Sequence, residues 1–294
     1  MTADVDVAVV GSPFLDLTFD GLPRVPLPGE ELVGRALHVA PGGTGMQAIG
    51  LARLGLSVTL VAPLGSGLGA DALRAAFEAE GVRLTGDDRT GATATTALLT
   101  TPEGVAMATV LGEGEPTAEE VRATGASSVV VSLGRLHLAP AEAAVYAVTG
   151  GLEVPHVGDS ALEGLRSARA VVANAREAME LTGAADPMEA ARALAGRGPT
   201  AVVTTGPDGA VAVDGDREAR AGAPAVEAVD LTGAGDLFVA AYVWADRRGA
   251  GLEDRLRWAT LYAALSVREA TAFAGAVRLR ELLDEGTRRG LTPP

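Results

Sequence analysis

The chain has 294 residues, 48% of them hydrophobic, which is enough for one large α/β domain or two small ones. Its formal net charge of −14 argues against nucleic acid or an anionic membrane surface as a partner. Cysteine is absent, which excludes disulfides and thiol chemistry; with no apolar run of membrane-spanning length and no evident secretory signal, we expect a cytoplasmic protein.

Three residue types are used very sparingly. The chain contains no lysine, so a Walker-type phosphate lysine is impossible. Its only asparagine is Asn174 and its only glutamine is Gln47. A chain that avoids an amide nearly everywhere yet keeps one suggests that the position needs it.

The first 110 residues combine a strand–helix rhythm with two additional β-rich patches. The apolar run at 5–11 predicts a buried strand, and Asp16 lies just beyond it, where the ligand crevice of an open α/β sheet is found. The patches cover about residues 20–40 and 90–111 and predict a small accessory sheet, a lid. Other predicted elements are a Gly-capped helix within 41–55, a strand at 57–62 and a helix at 70–80.

From residue 117 onwards, strands and helices alternate. This alternation predicts a parallel sheet with helices on both faces, in a single domain spanning 1–294 with the lid segments inserted. The predicted helices cover 117–124, 140–150, 161–167, 174–183, 187–195 and 252–270. The predicted strands cover 127–133, 154–157, 170–173, 200–205 and 210–213.

The most informative stretch, residues 230–238, reads D-L-T-G-A-G-D-L-F. Three small residues, Gly233 to Gly235, precede Asp236 and an apolar helical run. Small residues let the backbone approach a ligand, and the free N–H groups of a first helical turn can hold an anion. A carboxylate beside an anion site is costly unless it has a task, such as accepting the proton of a hydroxyl that attacks phosphorus. A plain helix cap is the alternative.

This stretch resembles the C-terminal signature of the ribokinase-like (PfkB) carbohydrate kinases, D-x-T-G-A-G-D-x-F, and the resemblance extends over nearly the whole chain. It implies an α/β, ribokinase-like three-layer sandwich with a mostly parallel central sheet and a small β-sheet lid. The implied activity is transfer of the γ-phosphoryl group of ATP to a hydroxyl of a sugar or sugar-like molecule. The implied cofactors are ATP, Mg²⁺ and a monovalent cation such as K⁺.

The resemblance also implies roles for individual residues. The catalytic group is the base Asp236 with the anion hole of Gly233, Ala234 and Gly235. The acceptor site comprises Asp16, Gly42, Gly43, Thr44 and Met46. The nucleotide site comprises Asn174, Thr204, Thr205, Gly206, Gly209, Gly235 and Thr260. Glu177 is implied to hold Mg²⁺ through water, and Asp230 and Thr232 to bind the monovalent cation.

Several positions depart from the family pattern. The Gly-Gly loop is one residue shorter than usual, so Met46 stands where an Asn often touches the sugar. Thr44 stands where ribokinases proper have Lys, and Thr260 replaces an Asn in the late adenine-side helix. These changes weaken any expectation of ribose as the acceptor, and they leave the phosphoryl-transfer residues intact.

The sequence leaves three alternative functions open and also allows a dimer. A nucleoside kinase would share the machinery, and Met46 would suit a base ring. A phosphosugar kinase would need cations at the acceptor, which Arg24, Arg35 or Arg89 could supply. A sugar- or nucleoside-binding protein could keep the fold without turnover. If the lid has an exposed apolar face, pairing of two lids would produce a dimer.

Overall fold

The computed structural model describes residues 5–87, 90–150 and 153–294, whose strands form one large and one small sheet. The strands of the large sheet are β1 (Val7–Val10), β4 (Val58–Val61), β5 (Arg83–Thr85), β8 (Ser128–Ser132), β9 (Ala144–Val148), β10 (Ala170–Asn174), β11 (Thr200–Thr204), β12 (Ala210–Asp214) and β13 (Arg217–Ala221). The strands of the small sheet are β2 (Pro13–Asp20), β3 (Ala36–Gly43), β6 (Thr95–Thr101) and β7 (Gly104–Val110).

The large sheet has the order β13-β12-β11-β10-β9-β8-β1-β4-β5. Pairing is parallel from β11 to β5, and only β12 and β13 pair antiparallel at one edge. All four residues of β1 are fully buried, as expected for a strand covered on both faces. The strand order reverses at β1, so a ligand crevice is expected beyond the carboxyl ends of the strands there.

Helices cover both faces of this sheet, giving three layers. The helices are α1 (Thr44–Arg53), α2 (Leu68–Ala79), α3 (Ala118–Ala123), α4 (Asp159–Gly164), α5 (Ala175–Thr182), α6 (Pro187–Ala195), α7 (Ala234–Arg247), α8 (Leu252–Ser266), α9 (Ala272–Gly275) and α10 (Leu279–Arg288). The two long helices α7 and α8 pack against each other in the main core, where Trp244 and Trp258 meet edge to face with ring centroids 5.6 Å apart. The predicted fold class is confirmed.

Two predicted elements in the middle of the chain are wrong. Residues 140–150 were expected to be helical because they are rich in Ala, but 144–148 form β9, whose Tyr146 is buried between β8 and β10. Burial in the sheet overrides the local helix preference. The strand expected at 154–157 is instead a single turn of 3₁₀ helix at Val154–His156, where Pro155 could not donate to a sheet ladder.

The small sheet, with the order β3-β2-β6-β7, is the lid expected from the sequence, but it starts earlier than expected. Its central strand β2 lies between the first predicted strand and the first β-rich patch. Asp16 is therefore in the middle of a lid strand, opposite Ala40 of β3 and Thr96 of β6, rather than on a loop. Within the described residues, no helix is both long and apolar enough to cross a membrane.

Candidate active site

The first turn of α7 is shaped by Gly233. Its φ of 77° lies in the left-handed region, which favours glycine. A Cβ at this position would also lie 2.6 Å from the Cβ of Ala272, so the chain can pass the segment after α8 only without a side chain. Within the described part of the chain, no side chain caps the start of α7, and no atom lies near the place of the missing Cβ of Gly235, which is exposed. This turn can therefore present backbone N–H groups to an anion.

Asp236 follows in the same turn and is half-buried. Its Oδ1 accepts a hydrogen bond of 2.9 Å from Nε2 of Gln47. Burial raises the pKa of the Asp236 carboxyl to about 7, the bond from Gln47 lowers it, and the charge of Asp16 raises it further. A carboxyl group with a pKa near neutrality can accept a proton at physiological pH and also release it.

Asp16 reaches the same place from the lid. Burial raises the pKa of its carboxyl to about 6, and the charge of Asp230 adds to the increase. The carboxylate lies over the backbone of Gly42 on β3, because a Cβ on Gly42 would be 2.1 Å from Oδ2 of Asp16. Asp16 therefore packs directly against Gly42, and the neighbouring Gly43 ends β3 with a φ of 54°.

Asp230 and Thr232 form a tight turn in front of α7. Oδ1 of Asp230 accepts a hydrogen bond of 2.9 Å from the N–H of Thr232. The N–H groups of Val229 and Asp230 both donate to the carbonyl of Val267, at 2.7 and 3.2 Å. Among the described residues, no group of three or more His, Cys, Asp and Glu side chains is arranged to hold a metal ion.

Asn174 and Glu177 mark the start of α5, immediately after β10. Oδ1 of Asn174 accepts from the N–H of Glu177 at 2.9 Å, so the only asparagine is the helix N-cap. Glu177 is buried, and its Oε2 accepts a hydrogen bond of 2.5 Å from the hydroxyl of Thr149. The cap fixes the asparagine side chain at the carboxyl end of the sheet, next to the open cleft described below.

Five of the seven nucleotide residues predicted from the sequence line a cleft of about 1020 Å³. Its lining includes Asn174, Thr204, Thr205, Gly206 and Gly235, so it extends from β11 to the first turn of α7. Two arginines that the sequence analysis did not single out, Arg176 and Arg220, also line it. Gly209 shapes the turn behind the cleft, since its φ is 97° and a Cβ there would lie 2.0 Å from the carbonyl oxygen of Ala221.

Three predicted site residues have little access to a ligand. Met46 is 1% exposed and belongs to the main core, so its position gives no support to a contact with the acceptor. Thr260 is 4% exposed, and its hydroxyl donates to the carbonyl of Arg257 within α8. Thr44 is half-buried at the start of α1, and its Oγ1 is buried without a hydrogen-bond partner among the described residues.

The arginines considered as ligands for a phosphorylated acceptor are already paired. Arg24 binds Glu30 through two hydrogen bonds of 2.6 and 2.9 Å. Arg35 binds Oδ2 of Asp20 at 2.6 Å. Arg89, the third candidate, lies outside the described residues.

Comparison with known proteins identifies relatives of this chain. The model of the pfkB family carbohydrate kinases matches residues 151–276. Acarbose 7(IV)-phosphotransferase from Actinoplanes sp. is 30% identical over 303 residues, covering 96% of this chain and 99% of that protein.

Solved structures share the fold. Arabidopsis thaliana ribokinase, complexed with ribose and ATP, has a TM-score of 0.79 and 23% identity, covering 96% of this chain and 98% of that one. Adenosine kinase from Sinorhizobium meliloti has a TM-score of 0.80 and 22% identity, covering 98% and 100%. With the match to the Actinoplanes enzyme over almost the full length of both chains, the protein belongs to the pfkB family of carbohydrate kinases.

Proposed function

We propose that this kinase transfers the γ-phosphoryl group of ATP to a hydroxyl of an unphosphorylated sugar or sugar-like molecule, with Asp236 as the general base. One observation carries the assignment: a carboxyl with a pKa near 7 stands in an uncapped first helical turn, between the nucleotide cleft and Asp16. Phosphoryl transfer depends mainly on positioning and charge stabilisation, for which this arrangement is suited.

Each group has a defined task in the proposed reaction. Asp16 accepts hydrogen bonds from acceptor hydroxyls and orients the one that reacts. Asp236 accepts the proton of that hydroxyl as its oxygen attacks phosphorus. The N–H groups of the turn Gly233 to Gly235 donate to the oxygens of the transferred group, where negative charge must be stabilised.

The nucleotide cleft supports ATP as the donor. Thr204, Thr205 and Gly206 border it at the end of β11, and Gly235 connects it to the anion-binding turn. Arg220 supplies positive charge in a protein whose net charge is −14. Arg176 adds to it, although its guanidinium lies 3.8 and 3.6 Å from carboxylate oxygens of Glu177 and Glu180. They take over the phosphate-neutralising task that other kinase folds assign to lysine.

The residues present fit Mg²⁺ held mostly by ATP and water. Mg²⁺ usually keeps several waters and binds one or two carboxylates together with substrate phosphates. Glu177 has one oxygen bound to Thr149, so it would orient metal-bound water next to Asn174. The oxygens of Asp230 and Thr232 and nearby backbone carbonyls fit a monovalent cation such as K⁺. Bound Mg²⁺ would neutralise phosphate charge.

The choice of acceptor follows from the charges near the lid. The charge of Asp230 acts on Asp16 and the charge of Asp16 acts on Asp236, whereas Arg24 and Arg35 are held by Glu30 and Asp20. An acceptor that carries a phosphate would meet repulsion there, which argues against a phosphosugar. Similarity to acarbose 7(IV)-phosphotransferase supports a sugar acceptor. Similarity of fold to adenosine kinase keeps a nucleoside as the alternative acceptor.

An ATP-consumption screen tests the proposal. Free sugars, oligosaccharides, sugar phosphates and nucleosides are assayed with Mg²⁺ and K⁺, with Asp236→Asn as the blank. We expect turnover with an unphosphorylated sugar, and a loss of at least about 100-fold in kcat in the blank. Near-normal turnover of the blank would refute the base assignment. No ATP consumption with any compound of the panel, together with no binding of ATP, would favour a sugar- or nucleoside-binding protein without turnover.

We also propose a homodimer that pairs two lids, in the cytoplasm, where ATP is available. The face of the small sheet that lies away from Asp16 is apolar and exposed at Phe19, Leu37, Val39 and Val110, each between 39% and 64% exposed. Burying such a face stabilises association. Sedimentation should give a dimer for the wild type and a monomer for Val39→Asp. A wild-type monomer at micromolar concentration would dismiss the dimer.

A further inference from the structure

Gln47 occupies a buried position, where an amide destabilises the protein unless it forms a hydrogen bond. It is the only glutamine in the chain, and it is 6% exposed on α1. Its neighbours in sequence, Met46 and Ala48, are buried in the main core. A buried amide without a hydrogen-bond partner destabilises a protein. Here the partner is Oδ1 of Asp236, 2.9 Å from Nε2 and 189 positions further along the chain.

The crossing of α1 and α7 explains why these two side chains meet. A Cβ on Gly50 would lie 2.7 Å from Cδ2 of Leu237 and 2.8 Å from the Cβ of Ala240. The backbone of α1 therefore approaches α7 as closely as a glycine permits. Gln47 lies about one turn before Gly50, and Asp236 about one turn before Ala240, so the close contact aligns them.

We infer that Gln47 is a positioning residue for the catalytic base: its amide N–H holds Oδ1 of Asp236 and leaves Oδ2 directed at the acceptor hydroxyl. This inference rests on the proposed function of Asp236. An ionised carboxylate only accepts hydrogen bonds, so the amide nitrogen faces it. Among the described residues, the ionisable group that acts on Asp236 is Asp16 of β2, which repels it and is itself acted on by Asp230.

The bond serves two purposes. It fixes the rotation of the Asp236 side chain. A small displacement would turn the carboxylate away from the acceptor hydroxyl, and misplaced reacting groups slow the reaction. It also stabilises the ionised form, because burial and Asp16 both raise the pKa of Asp236 whereas Gln47 lowers it. Without Gln47 the base would be protonated over a wider range of pH.

The test variant is Gln47→Met, which keeps the length and burial of the side chain and removes the donor. Leu51→Met, a buried and volume-conserving change one turn further along α1, is the control for core disturbance. With the acceptor from the screen, kcat is measured against pH. We expect the acidic limb of the Gln47→Met profile to move up by about one pH unit, the size expected for a hydrogen bond to a charged group.

A second measurement does not depend on activity. The pH dependence of thermal stability is compared for wild type and Gln47→Met, each with and without Asp236→Asn. The stability difference between the proteins with and without Asp236→Asn should level off at a pH about one unit higher, and at a larger value, when Gln47 is replaced, whereas the pH at which it begins should not change. An unchanged pH dependence in both measurements, or an equal loss of kcat at every pH, would overturn the inference. If Asp236→Asn keeps normal turnover, the assignment of Asp236 as the base fails instead. The stability measurement still tests whether Gln47 stabilises the ionised Asp236 carboxylate.

Discussion

The carboxylate of Asp16 occupies the space that a side chain on Gly42 would need, with Oδ2 only 2.1 Å from the position of the missing Cβ. Asp16 can therefore hold this position only because residue 42 has no side chain. We predict that Gly42→Ala displaces Asp16 and raises KM for the acceptor by about 10-fold or more, the effect of losing a hydrogen bond to a charged group.

Steady-state kinetics with each substrate varied in turn checks this prediction. KM for ATP should stay within about twofold of the wild-type value, because the nucleotide cleft is lined by other elements. Gly251→Ala is the matched control, since its Cβ would meet no atom within 4 Å. An unchanged acceptor KM in Gly42→Ala would contradict the role given to Asp16.

The raised pKa of Asp236 predicts how stability varies with pH. Between its usual value of 3.8 and about 7, the native state binds a proton at Asp236 that the unfolded state releases. Unfolding free energy then falls as pH rises through this range, since the native state holds more protons. Asp236→Asn should therefore have a Tm a few degrees above wild type at pH 8, and the difference should shrink towards pH 4.

Thermal unfolding followed from pH 4 to pH 8 measures this difference. Asp254→Asn, which removes a carboxylate that is half exposed on α8, serves as the control and should give no comparable increase at pH 8. A Tm of Asp236→Asn that is equal to or below wild type at pH 8 would mean that the carboxyl is not destabilised by burial.

Arg220 is predicted to act on the nucleotide alone. It is exposed on β13, it lines the cleft, and it forms no hydrogen bond with another described residue. We expect Arg220→Ala to raise KM for ATP by about 3- to 10-fold, because one exposed charge is worth about 1 kcal/mol. Acceptor KM should not change. Arg217→Ala, on the same strand but paired with Asp214, should leave both values unchanged; an equal effect of the two variants would refute a specific contact.

Glu177 is predicted to set the Mg²⁺ requirement. Because its carboxylate is held by Thr149, Glu177→Gln should keep the fold and raise the Mg²⁺ concentration for half-maximal activity by about 10-fold, as expected for an outer-sphere group. The measurement is a Mg²⁺ titration at fixed ATP. Glu180→Gln, three residues beyond Glu177 and more exposed on the same helix, should titrate like wild type. Coincident curves for the two variants would rule out the role.

Local patterns predicted most of the large sheet. Apolar runs such as those at 7–10 and 200–204 have few alternatives to a buried strand, and caps such as Asp186 mark a helix start in the sequence itself. The failure at β9 has a different origin. Residues 144–148 have helix-compatible composition, and only their pairing between β8 and β10 makes them a strand.

In the candidate site, too, some features follow from local sequence and others depend on packing. The signature at 230–238 predicts the turn and Asp236, since a glycine-rich turn before an apolar helix is a local feature. Local sequence does not decide whether a side chain faces a ligand. Met46 and Thr260 stand at positions where the family usually has Asn, yet both are buried. The rarity of Gln47 was visible as a signal, but its partner was not.

The sequence by itself determined the class of fold, the order of most elements and the turn that carries Asp236, because these depend on periodicity and on residues close together in the chain. Tertiary structure alone decided that Asp16 lies on a lid strand over Gly42, that Gln47 meets Asp236, and that Arg24 and Arg35 are neutralised. The first two of these contacts depend on how sheets and helices pack, and packing combines side chains that no local pattern links.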